Sequence, residues 1–138
     1  MNSTHPQIPA PETFKNIPFP KRICIDFDGV IHSYTSPWVD EVTIPDPPVE
    51  GSFEAIADYI RAGFRVAVYS SRSYRVEAAQ AMMRWFREHG MRPKVLDHVE
   101  FPPYKPGAVL YIDDRGYHFT GKFPPVEFIN SFRTWNKP

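Results

Sequence analysis

The sequence predicts an α/β protein, a three-layer sandwich on a central, mainly parallel sheet. Two observations carry this. Ile23-Cys-Ile25 and Val66-Ala-Val68 are β-favouring apolar runs that read as buried strands, the first on both faces for want of in/out alternation, and Ala108-Val-Leu-Tyr-Ile112 reads as a further strong strand. Helical apolar periodicity follows each of the first two runs, and successive strand-then-helix units imply right-handed crossovers between parallel neighbours.

Taken in order, residues 1–20 carry prolines at 6, 9, 11, 18 and 20, which excludes a helix or central strand and predicts a tail or extended wrap. Phe14, Ile17 and Phe19 are the residues able to pin it to a domain of residues 21–138. The first strand ends in Asp26 and Asp28, with Gly29 letting the backbone turn away. Residues 32–48 are long for a strand-to-helix link, and Trp38-Val39 and Val42-Thr-Ile44 around acidic Asp40-Glu41 predict a small hairpin flap.

Asp46 before Pro47-Pro48 reads as a helix N-cap and Gly63 as the stop, with Phe53, Ile56, Ala57 and Ile60 on one face. Arg65–Ser70 is the second strand. Ser73 is the expected cap of a second helix with an apolar seam of Val76, Ala79, Met83 and Phe86, closed by Gly90; Met82 and Trp85 on the same helix read as packing residues. Pro93–Val99 reads as a weaker strand. Ala108–Ile112 is a strong one ending in Asp113 and Asp114, residues 117–123 read as a short edge strand, and Pro125–Phe132 as a final helix packing through Phe128, Ile129 and Phe132.

A chain of 138 residues fits one domain. Lysine plus arginine and aspartate plus glutamate are equal at 16, so no overall basic charge is present to hold a nucleic-acid backbone, and any polyanion contact is local. The single cysteine, Cys24, excludes an internal disulfide and reads as a small buried hydrophobe. No run approaches the length of a membrane span and the start lacks a signal-peptide pattern, so the expected location is cytoplasmic.

If the first and last strong strands are neighbours, Asp26, Asp28, Asp113 and Asp114 converge at the carboxyl edge, where ligands bind in open α/β sheets. Four like charges repel strongly, and the simplest relief is a hard divalent cation; oxygen-only ligands with a phosphate partner point to Mg2+. Helix capping remains the competing role for one of Asp113 and Asp114. Ser70 offers a hydroxyl and Lys105 a positive charge to a phosphoryl oxygen, with Ser71 the competing hydroxyl.

These residues resemble the haloacid dehalogenase superfamily of phosphohydrolases over roughly residues 21–133. Asp26-Phe-Asp-Gly-Val30 resembles its first motif, Val66-Ala-Val-Tyr-Ser70 its second, Lys105 its third and Leu110-Tyr-Ile-Asp-Asp114 its fourth, in the family's order. The resemblance implies a Rossmann-like catalytic domain in which Asp26 attacks phosphorus to give an aspartyl-phosphate. Asp28 would protonate the leaving oxygen and then activate water. Ser70 and Lys105 would hold the phosphoryl oxygens, with Gly29, Ser71 and Arg72 completing the phosphate-binding set. Mg2+ would sit on Asp26, the Asp28 main-chain carbonyl and Asp113 or Asp114.

Aspartate two residues after the nucleophile resembles the family's phosphatases rather than its dehalogenases or transport ATPases. Lys105 lies closer to the fourth motif than is usual, which leaves Lys94 as a fallback. No cap domain is expected at residues 32–48 or 72–105, so the chain resembles the capless members. Ser70-Ser-Arg72 and Asp113-Asp-Arg115 also resemble the 3'-phosphatase half of phage polynucleotide kinases.

Around this centre, Arg72, Arg75 and Arg115 are candidates for a second phosphate or a nucleic-acid backbone, against surface ion pairs. His32, Tyr34 and Trp38 are candidates to line the leaving-group pocket, Trp38 as a platform for a base or simply as flap packing. The expected function is thus Mg2+-dependent phosphomonoester hydrolysis on a nucleotide, a nucleic-acid 3'-phosphate or a small metabolite phosphate. A signalling receiver domain, which also gathers acids and a lysine around magnesium, has these groups in another order. A catalytically silent phosphate- or magnesium-binding module is the remaining alternative.

Overall fold

Four parallel strands in the order β3-β2-β1-β4 form the sheet of the computed structural model, which describes residues 21–137. They are β1 (Arg22–Asp26), β2 (Arg65–Tyr69), β3 (Val99–Glu100) and β4 (Leu110–Ile112). β1 is central: Cys24 faces Ala67 on one side and Tyr111 on the other. The expected neighbourhood of the first and last strong strands is therefore present. The expected tail of residues 1–20, with Phe14, Ile17 and Phe19, lies outside the described residues.

The helices are α1 (Ser52–Arg61), α2 (Val76–Glu88), α3 (Pro93–Leu96) and α4 (Val126–Ser131). Both crossovers, β1-α1-β2 and β2-α2-β3, step the same way along the sheet, so their common hand puts α1 and α2 on one face. Phe53 of α1 accordingly packs its ring against Trp85 and Phe86 of α2, with centroids 5.9 and 5.3 Å away. Ile23, Ile25, Val66, Val68 and Val99 meet Ile56, Met82, Trp85 and Phe86 in the core. Burying side chains of this size contributes about 1.5–3 kcal/mol each.

The return from β3 to β4 crosses the opposite face. It does so as the loop of residues 101–109, without a helix: Gly107 O accepts from Arg22 Nη1, Pro106 O from the Tyr111 hydroxyl, and Lys105 Nζ lies 4.6 Å from the Tyr111 ring centre. Among the described residues, the expected third layer is thus a loop laid on the sheet.

Several local expectations are corrected. Residues 32–48 form a loop with isolated bridges rather than a hairpin. α1 starts at Ser52 after Gly51 and α2 at Val76 after Arg75, so neither Asp46 nor Ser73 caps a helix. Ser73 Oγ instead accepts from the Ser70 amide. The buried seam of α2 is Ala78, Ala81, Met82, Trp85 and Phe86, with Val76 exposed. Pro93, which fixes a helix-compatible φ in a first turn, opens α3 rather than a strand, and β3 is reduced to Val99–Glu100 beyond it. Residues 117–123 form no strand, and Phe128 and Ile129 of α4 are exposed.

Candidate active site

Because all four strands run the same way, their carboxyl ends share one rim, and Asp26, Asp28, Ser70 and Asp114 meet there. With Tyr34, Trp38, Ser71 and Arg115 they line a cavity of about 280 Å³. Gly29 lies against Asp114. Its φ of 86° favours glycine, and a Cβ at this position would run into Asp114 Oδ2.

Asp26 and Asp114 form a close carboxylate pair. Burial, then the Asp114 charge and a hydrogen bond with it, pushes the Asp26 carboxyl up to about 7. Asp114 Oδ1 is buried and has no hydrogen-bond partner. Asp113 points elsewhere, its Oδ1 accepting from the amides of Arg115 and Gly116 in a turn. Of the two acids left open by the sequence, Asp114 joins Asp26 and Asp113 holds the turn. Two half-buried carboxylates, one with a buried unpartnered oxygen, are a donor set suited to a hard divalent cation. Among the described residues no group of three acidic, histidine or cysteine side chains forms a metal cluster, so further ligands would be main-chain oxygens or water.

Asp28 has a different environment. Oδ1 accepts from Arg72 Nη2 at 2.9 Å, and Oδ2 from Arg72 Nε at 2.9 Å and the Ser70 hydroxyl at 3.0 Å. His32 Nδ1 lies 2.8 Å from Oδ1. The Asp46 amide donates to His32 Nε2 at 3.1 Å, so Nε2 is the acceptor and Nδ1 carries the proton given to Asp28. Burial alone would raise the Asp28 carboxyl, but the bonds from His32, Arg72 and Ser70 bring it below the usual range. Its side-chain oxygens are committed to these donors, which leaves its main-chain carbonyl as the group open to a cation.

Arg72 is the residue whose role differs most from expectation. It is 1% exposed, and besides its bidentate grip on Asp28 it donates through Nη1 to the carbonyls of Glu41 and Thr43. Its guanidinium lies over the Trp38 ring at 4.6 Å and the Phe27 ring at 5.9 Å. It holds the 36–46 loop down onto Asp28 and is not free to take a phosphate oxygen. His32 is likewise buried behind Asp28, stacked on Phe27, and does not line the cavity.

Tyr34, Trp38, Ser71 and Arg115 do line it, whereas Arg75 pairs with Glu77 at 3.6 Å outside it. Lys105 lies in an adjoining cavity of about 330 Å³ that shares Asp26 and Arg115 with the first. Lys94 sits on α3, which feeds the start of β3 at the opposite rim, and is removed as the fallback.

Two features had no signal in the sequence. Asp46 accepts from the Ser36 amide and hydroxyl at 2.8 and 2.6 Å, and its carbonyl accepts from Trp85 Nε1 at 3.1 Å, so it anchors the loop to α2. Residues 134–137 return to the Asp28 loop: Trp135 Nε1 donates to Gly29 O at 2.7 Å, and Asn136 Nδ2 to the carbonyls of Ser33 and Tyr34. This strap holds Tyr34 at a φ of 56°, a strained value for a tyrosine, and Lys137 Nζ lies 4.0 Å from the centre of its ring.

No protein-family model, curated protein or solved structure matches the chain. Among the described residues no helix is long and apolar enough to cross a membrane.

Proposed function

We propose that the protein is a Mg2+-dependent phosphomonoesterase of the haloacid dehalogenase type. The observation that carries this is the half-buried Asp26–Asp114 pair, with Asp114 Oδ1 buried and unpartnered, at the carboxyl rim of a parallel sheet. Asp26, Asp114 and the Asp28 main-chain carbonyl would hold the cation, which when bound would neutralise charge on the phosphoryl group. An Asp26 oxygen attacks phosphorus, the P–O bond to the alcohol breaks, and the aspartyl-phosphate is opened by water. Ser71 and Lys105, from the two cavities that meet at Asp26, supply donors to phosphoryl oxygens.

Asp28 is the acid/base of this scheme. Ionised and tightly held, it is suited to take the proton of the attacking water; to give a proton to the leaving oxygen it must first exchange one of its present donors for that proton. The open cavity suits an exposed phosphoester such as a nucleotide or nucleic-acid 3'-phosphate, with a small metabolite phosphate next. The commitment of Asp28 to four donors favours one second reading, a silent Mg2+- or phosphate-binding module. Release of phosphate from p-nitrophenyl phosphate with Mg2+, lost with chelator and in Asp26→Asn, is expected from the enzyme. Equal inertness of wild type and variant across phosphoesters would leave the module.

A further inference from the structure

A tryptophan in a loop of this kind ordinarily buries its ring under its neighbours. Trp38 instead stays 47% exposed while being held in place, because one face lies on the guanidinium of Arg72 at 4.6 Å. That guanidinium is itself buried, doubly bonded to Asp28 and bonded to Glu41 O and Thr43 O. A single side chain thus links the ring to Asp28, and the ring lines the same cavity as Asp26, Ser70 and Asp114. Tyr34 and Arg115 form further parts of that lining. An exposed aromatic face, clamped from behind and set beside a phosphate-sized polar centre, matches the needs of a flat heteroaromatic ring attached to a phosphoester.

We propose that Trp38 is a stacking subsite for a nucleobase, so that the phosphomonoester hydrolysed at Asp26 is carried on a nucleoside, either free or at the end of a strand. This rests on the phosphatase reading above and adds to it the part of the substrate that is recognised away from the reacting bond. Arg72 acts here as a positioning residue, backing the ring rather than touching substrate. Stacking on one ring is worth about tenfold in affinity or more, which sets the size of the effect.

The test uses the whole protein in Mg2+ with three phosphoesters: an adenosine monophosphate, a 3'-phosphorylated oligonucleotide and ribose 5-phosphate, which lacks a base. The expected result is a kcat/KM about tenfold or more higher for a base-bearing ester than for ribose 5-phosphate, with that ratio falling to near one in Trp38→Ala and kept in Trp38→Phe. The better of the two base-bearing esters distinguishes free nucleotide from strand end. Equal kcat/KM with and without a base, unaltered in Trp38→Ala, would overturn the subsite while leaving the phosphatase reading intact.

Binding is read separately from turnover, by quenching of tryptophan fluorescence on adding adenosine, which carries no phosphate. The chain has three tryptophans; Trp85 is buried and Trp135 is the other exposed one. Saturable quenching lost in Trp38→Ala supports the subsite even if every phosphoester proves inert, in which case only the phosphatase reading falls. No quenching in the wild type, or quenching that persists unaltered in Trp38→Ala, overturns it.

Discussion

Binding of Mg2+ at the rim should expel a proton, and its amount can be worked from Asp26. With its carboxyl raised to about 7 by burial and by Asp114, Asp26 is protonated below that pH when no cation is present. A ligated carboxylate must be ionised, so at pH 6.5 about 0.8 proton leaves per ion bound, and at pH 8.5 less than about 0.1. Apparent affinity accordingly falls about tenfold per unit as pH drops well below 7. Isothermal titration calorimetry at each pH, in two buffers of different ionisation heat, reads the proton count directly. Asp114→Asn removes the neighbouring charge, and the release at pH 6.5 should shrink together with the affinity. Identical heats in both buffers at pH 6.5, or a release unchanged in Asp114→Asn, would refute the coupled pair as the cation site.

Further outcomes follow from the surrounding network. Arg72→Met should destabilise by roughly 3–5 kcal/mol in urea unfolding, because it breaks the buried guanidinium's pair with Asp28 and leaves that part-buried carboxylate with only His32 and Ser70; a loss under about 1 kcal/mol would contradict the clamp. Asp28 has a folded pKa below its unfolded one, so its stabilisation is complete above about pH 4 and is lost as pH falls through the folded value; Asp28→Asn should flatten the acid limb of the stability curve there. Gly29→Ala forces a side chain into a positive φ and against Asp114, costing roughly 1–3 kcal/mol and weakening Mg2+ binding by calorimetry. Trp135→Phe, which keeps the ring but not the Nε1 donor, should speed amide exchange over residues 29–34 with the global melting transition little moved; unaltered exchange would deny the strap a positioning role.

The strands that end in functional groups were legible because they leave a plain signature: an apolar run without alternation, then carboxylates or hydroxyls. That is why β1, β2 and β4 and a rim carrying Asp26 and the Asp113-Asp114 pair could be read from the sequence, while the choice between those two acids could not. The phase of α2 was not legible. Val76, Ala79, Met83 and Phe86 and the overlapping set Ala78, Met82, Trp85 and Phe86 both have helical spacing, and the choice falls to tertiary packing, where Trp85 meets Phe27 edge-on at 5.1 Å. The apolar residues of Pro93–Val99 suit a strand, but a proline in first position equally opens a helix. Arg72 looked like a phosphate ligand because arginine beside a phosphate site usually is one. Nothing local announces a partner carboxylate 44 positions earlier, or that His32 and Asp46 complete the same buried network.

The strap from Trp135 and Asn136 reaches back more than 100 positions to Gly29, Ser33 and Tyr34. Contacts between positions so far apart in the chain carry loop-closure entropy that local contacts do not, so the strap forms only after the sheet has brought its two segments together. Held by these few bonds, the bend at 29–34 is the part of the centre that opens first while β1 and β2 stay closed.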